Sequence, residues 1–211
     1  MKEKLLSALK RFYKSFIWLF IVLLGLDILS KQIILHSNYD PVTHQIADWG
    51  IVRISYVLNE NAAFGIGASD PTVSRTIYLI VATLVSAGLV FYMIWKRKEM
   101  KLFIRACLVL IVTGALGNMI DRIFYGPLEY AGATGLFSGS VVDWIDFYWF
   151  WSFNFNIADC CIVIAAFMLI IYIIVVEVKE MIAKRNAEIA MEKDLPEEEK
   201  QEENDENSKS E

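Results

Sequence analysis

The chain has 211 residues, 56% of them hydrophobic, with a formal net charge of -5. That apolar share exceeds the roughly 45–50% of ordinary soluble domains, and it gathers in blocks close to the roughly 20 residues that cross a bilayer as a helix. An ordinary water-soluble domain is thereby excluded, and an all-α membrane protein with four transmembrane helices is expected.

The spans are expected at about residues 16–35, 76–95, 102–120 and 157–178. The negative total misleads, because much of the acid lies between Glu188 and Glu211. Basic residues sit unevenly: Lys2, Lys4, Lys10, Arg11 and Lys14 precede the first span, and Lys96, Arg97, Lys98, Lys101 and Arg105 surround the second connection. Lys179, Lys184 and Arg185 follow the fourth span. Lysine and arginine favour the cytoplasmic side. Both termini and the middle loop are therefore expected there, with outer loops at 36–75 and 121–156. The organisation expected is a basic N-terminus (1–15), a four-helix membrane domain (16–178) and a charged, disordered tail (179–211).

In chain order, the first block could pass for a cleavable secretion signal. It is too long, however, and no small-residue cleavage site follows it, so it is expected to be retained. Asp27 and Lys31 interrupt its far end four residues apart, on one helical face. They read either as a self-neutralising pair with Lys31 snorkelling outward, or as a prop for a site at that end.

In the first outer loop, Ile51 to Leu58 alternates apolar and polar residues as a half-buried strand does. It leads into Asn59-Glu-Asn-Ala-Ala-Phe64-Gly65, where small residues permit close backbone approach. An open edge on this strand would suit capture of an extended peptide; an ordinary hairpin explains the pattern equally well. The second span shows no chemistry and reads as scaffold.

The third span closes in Gly114-Ala-Leu-Gly117-Asn118-Met-Ile-Asp121-Arg122. The glycines suit tight helix packing, and Asn118, Asp121 and Arg122 fall on one side. Residues 123–140 are glycine-rich and read as a surface excursion. Val141-Val142-Asp143 and Phe155-Asn156-Ile-Ala158-Asp159 then set acids at the mouth of the last span. Asn156 can cap that helix, with Asp159 in its first turn. An ionisable group at such depth costs several kcal/mol unless paired. Two such acids from separate stretches point to a pair sharing one proton, as in aspartic-type hydrolysis.

Cys107, Cys160 and Cys161 lack disulfide or metal spacing and read as core residues. His36 and His44 stand alone, so neither metal nor cofactor is expected. Competing readings are a proton-coupled carrier using Asp27, Lys31 and Asp159, and a non-enzymatic scaffold. The gathering of acids at one end of the spans favours surface chemistry over the carrier.

Five blocks in this order resemble lipoprotein signal peptidase (signal peptidase II): Asp27-Ile-Leu-Ser-Lys31, Asn59 to Gly65, Gly114 to Arg122, Val141 to Asp143, and Phe155 to Asp159. The resemblance implies four transmembrane helices with a small extracytoplasmic β-rich element and an outer loop or helix. It implies Asp143 and Asp159 as the catalytic pair, Asn59, Asn118, Arg122 and Asn156 as residues lining the site, and Asp27, Lys31 and Asp121 as structural polar residues. The implied substrate is a prolipoprotein carrying diacylglyceryl on the cysteine after its signal peptide, cut just before that cysteine. The enzyme would be a monomer in the bacterial cytoplasmic membrane, in contact with membrane lipid and not with nucleic acid, its site near the outer face. Two departures are Asn61, where the family often has glycine, and the length of the segment between Arg122 and Asp143. Asp146 is the competing acid, ranked second. In the implied mechanism the ionised acid takes a proton from water while the neutral one polarises the scissile carbonyl; Asp159, at a helix N-terminus, is expected to be the ionised one.

Overall fold

A computed structural model describes residues 2–59, 71–124, 139–149, 151 and 153–194. Its helices are α1 (Lys2–Ser15), α2 (Ile17–Leu35), α3 (Pro71–Trp95), α4 (Leu102–Phe124) and α5 (Ile157–Asp194). The strands are β1 (Gln45–Asp48), β2 (Arg53–Asn59), β3 (Val141–Asp146) and β4 (Asn154–Phe155), joined in one antiparallel sheet in chain order.

Among the described residues, four segments are long and apolar enough to cross a membrane: Ile17–Leu35, Val73–Trp95, Leu102–Phe124 and Ile157–Ala190. A helix satisfies its own backbone, which is why such runs form helices where water is absent. Ile21, Ile33, Leu84 and Phe91 are all more than half exposed, an arrangement suited to hydrocarbon rather than water. This is a multi-pass membrane protein.

The elements differ from expectation at several ends. α3 begins at Pro71, ahead of residue 76, because proline at the first helical position gives up an N–H that has no partner there anyway. α4 continues to Phe124, past the bound of about residue 120, with Asp121 and Arg122 in its last turns as their helical spacing implied. α5 continues to Asp194, so residues 179–194 are helical rather than disordered. Strong helix formers such as Ala, Met, Glu and Lys carry it past the apolar run. The basic N-terminus also forms a helix, α1. It is set off from α2 by Phe16, whose φ of 57 breaks the helical path. Trp18 fastens this elbow by donating its indole N–H to the Tyr13 carbonyl (3.1 Å) and stacking on the Tyr13 ring.

The alternating stretch does form a strand, β2, but β2 is central. It pairs with β1 on one side and β3 on the other, so the open edge expected on it is already filled. β3 was not expected as a strand. It pairs with β4 only through Ile145 and Asp146, leaving Val141 to Trp144 without a strand partner on that side among the described residues. Ile54, Tyr56 and Val142 pack with Ile34 of α2 as a small core. Val57 and Asn59 lie opposite Asp143 and Val141, on the other face of the sheet from Val142. The expected excursion over residues 123–140, the block from Glu60 to Gly65 and the final stretch of the tail lie almost wholly outside the described residues.

By packing, the chain forms two units, Met1–Phe167 and Met168–Glu211. The first holds α1 to α4, the sheet and the opening turns of α5. In the second, Ile170, Ile171, Ile173 and Ile174 are exposed in succession, an all-round apolar surface. Within the first unit, Gly114 and Gly117 let α4 meet the start of α5. A Cβ on Gly117 would lie 2.6 Å from Asp27 Oδ2 and 2.9 Å from Ala158 Cβ, and one on Gly114 would overlap the Ala158 carbonyl.

Candidate active site

The opening of α5 fixes the first acid through the helix's own unmet N–H groups. Asn156 Oδ1 accepts from the Asp159 N–H (2.9 Å), and Asp159 Oδ2 accepts from the Asn156 N–H (3.2 Å). This is a reciprocal capping box with aspartate in the third position. The other oxygen, Asp159 Oδ1, accepts from Asn118 Nδ2 at 2.7 Å. A further free N–H, that of Ala158, is met from α2 by Asp27 Oδ1 at 2.9 Å.

The second acid, Asp143, lies on β3 and is 3% exposed. Asn59 Nδ2 donates to its Oδ2 (2.9 Å) and Asn156 Nδ2 to its Oδ1 (2.7 Å). Asn59 is the diagonal cross-strand neighbour of Asp143, on the same face of the sheet, which is the spacing at which long side chains meet. One residue, Asn156, therefore touches both acids. Burial pushes the Asp143 carboxyl up to about 7; the charge of Asp159 adds to this, while the amides of Asn59 and Asn156 offset part of it.

Beneath the acids, Lys31 is fully buried and does not snorkel. Its ammonium donates to Asp27 Oδ2 (2.8 Å) and Asn118 Oδ1 (3.1 Å) and pairs with Asp121 Oδ2 (2.8 Å). Those contacts match its three N–H groups. Snorkelling would leave Asp27 and Asp121 buried without a counter-ion, which costs far more than burying the lysine stem. Asp121 Oδ2 also accepts the Val142 N–H (3.3 Å), which ties the strand carrying Asp143 to α4. Through this cluster α2, α4, β3 and α5 are fixed to one another.

The remaining expected residues are placed as follows. Asn118 joins the Lys31 cluster to Asp159, and its Oδ1 also accepts from Asn156 Nδ2 at 3.0 Å. Arg122 donates to the Asn118 carbonyl (3.1 Å) and stacks on the Tyr78 ring, 3.8 Å from its centroid. Asp146 is three residues from Asp143 and so faces the other side of the strand; Ser55 Oγ approaches it at 3.5 Å. The competing acid is thus turned away from Asp159. Tyr78 was missed. It belongs to α3, read from sequence as scaffold, and nothing in its spacing set it apart from Tyr92 in the same apolar span. The cysteines are unbridged, with Cys107 and Cys161 buried.

The family model for signal peptidase (SPase) II matches residues 19–175, which include every residue of this constellation. The chain belongs to the signal peptidase II family. It is 34% identical over 164 residues to the lipoprotein signal peptidase of Clostridioides difficile, covering 78% of this chain and 97% of that protein. It is 34% identical over 158 residues to the lipoprotein signal peptidase of Fusobacterium nucleatum, covering 74% and 84%. A solved bacterial membrane enzyme structure aligns with a TM-score of 0.57 at 26% identity, over 74% of this chain and 90% of that one. This signal peptidase II member thus carries a buried acid, Asp143, and a half-buried one, Asp159, both held by one asparagine.

Proposed function

We propose that this chain is an aspartic endopeptidase acting on prolipoproteins already diacylglyceryl-modified on the cysteine that follows the signal peptide, cutting just before that cysteine. The observation that carries the reading is the contact of Asn156 with both Asp143 and Asp159. Burial and the neighbouring charge favour a proton on Asp143 near neutral pH. Asp159 is then the ionised partner, held by the helix N-terminus and the Asn118 amide.

Asp159 removes a proton from water as the water oxygen attacks the scissile carbonyl carbon. Asp143 gives its proton to the carbonyl oxygen, so the tetrahedral species forms without an isolated anion. Collapse breaks the C–N bond, the departing amine takes a proton from Asp159, and Asp143 recovers its own. Both acids come from one chain, which supports action as a monomer. Among the described residues no strand pairs with Val141 to Trp144 on the side of β3 away from β2, and this supports an extended peptide lying beside Asp143. The distribution of Lys and Arg supports both termini in the cytoplasm and the acids near the outer face.

The test is gel-shift cleavage of a lipidated precursor by the wild type, Asp143→Asn and Asp159→Asn. Each variant should lose roughly 10²–10⁴-fold in rate while remaining inserted in the membrane. Cleavage at the wild-type rate by either variant would remove that acid from the mechanism.

A further inference from the structure

A second feature lies at the opposite end of the bundle from the acids. A cavity of about 460 Å³ opens between α2, α3 and α4, lined by Ile17, Phe20, Val90, Met93, Val109 and Val112. Its volume falls in the roughly 300–1,000 Å³ range of small-ligand cavities. Ile17 begins α2, and Lys31 lies about 21 Å further along that helix at 1.5 Å per residue. The basic mouth of the cavity, at Arg97 and Arg105, is therefore remote from Lys31, while its apolar lining runs along α4 to Leu116; a ligand there does not depend on the catalytic reading.

The cavity's interior is apolar, but Arg97 and Arg105 also line it. Arg105 donates to the backbone carbonyls of Lys14 (3.0 Å) and Arg97 (2.6 Å), tying the end of α1 to the turn after α3. Those acceptors are neutral, and a guanidinium has five N–H groups, so donors and a full charge remain. Among the described residues neither arginine pairs with a carboxylate; the nearby Glu99 is held by Lys96 at 2.8 Å. Arg97 itself is exposed. Lys14, at the end of α1, is exposed beside Arg105's tie and adds a further positive charge to the approach. Positive charge beside an apolar slot in a membrane-spanning bundle complements one molecule class, with phosphate at one end and hydrocarbon at the other.

We propose that this cavity binds an anionic phospholipid, with an acyl chain among Phe20, Met93 and Val109 and the headgroup phosphate on Arg97 and Arg105. The lipid joins α2, α3 and α4 at the end of the bundle that lacks the Lys31 cluster.

The test is native mass spectrometry of the full chain released from detergent containing equal phosphatidylglycerol and phosphatidylcholine. The wild type should retain one phosphatidylglycerol with roughly 30-fold preference, since each basic group near a headgroup contributes about fivefold. Arg97→Gln should lower that preference about fivefold, and Val109→Phe, which fills the slot, should reduce retention of both lipids. Arg97→Gln is the decisive variant, because the Arg97 side chain makes no hydrogen bond or ion pair among the described residues and its loss does not disturb packing. Equal retention of both lipids by the wild type, or an unchanged preference in Arg97→Gln, would overturn the proposal. So would displacement of the lipid by millimolar glycerol 1-phosphate, which would make this a phosphate site alone.

Discussion

Replacing Lys31 by methionine tests the architecture most directly. Methionine keeps most of the length and all of the apolar stem, and removes only the ammonium. Two contacts at 2.8 Å, to Asp27 and Asp121, and one at 3.1 Å to Asn118 disappear together. All of this happens at a position with no solvent exposure, so water cannot replace the lost donors. Removing one member of a buried ion pair costs about 3–5 kcal/mol, because the partner charge is stranded. Here two carboxylates are stranded, so the upper part of that range applies. Against a total stability of about 5–15 kcal/mol, the variant should lose much of its folded population on extraction into mild detergent. The assay is the fraction running as a single size-exclusion species after a temperature ramp, alongside precursor cleavage. Adding Asp121→Asn removes one stranded charge, so the double variant should be more stable than Lys31→Met alone, a non-additivity expected of groups in contact. A Lys31→Met protein with the wild-type melting temperature, or a double variant weaker than the single one, would refute the reasoning.

The pH dependence has a defined direction. Asp143 sits at about 7 in the folded chain against 3.8 for an ordinary aspartate, so the folded state binds this proton more tightly than the unfolded chain does. The stability it contributes is complete below about pH 4 and is lost as pH rises through about 7. Asp143→Asn should flatten this fall in a melting series, and wild-type cleavage should decline above neutrality as the shared proton leaves. Asn59→Ala removes a hydrogen bond that favours ionised Asp143, so the alkaline limb of the cleavage profile should move to higher pH. Gly117→Ala places a methyl against Asp27 and Ala158, an overpacking worth about 1–3 kcal/mol, and should lower the melting temperature without shifting the pH profile.

The four spans were legible because an uninterrupted apolar run leaves a chain few alternatives in a bilayer. Their ends were less legible. α5 outlasts its apolar run because Glu, Lys and Ala propagate a helix without hydrophobic help, and α1 hides an amphipathic pattern (Leu5, Leu6, Leu9, Phe12, Tyr13) within a stretch noticed for its charge. Asp143 and Asp159 were visible as acids in the wrong solvent. The strand beneath Asp143 was not, since Val-Val-Asp-Trp-Ile-Asp carries apolar residues on both faces and its pairing with β2 spans more than eighty residues. The same non-locality concealed Tyr78 and the inward turn of Lys31. Each is settled by a partner on another helix, which spacing along one segment cannot supply.

The position of Asp159 in the first turn of α5 has a consequence for the substrate. If Asp159 is catalytic as proposed, one acid is fixed to the very end of a span, so helix register would set the height at which the bond is broken and the bilayer would serve as a ruler. A peptide whose target bond is displaced by one helical turn, about 5.4 Å, should escape cutting even when its sequence is otherwise suitable.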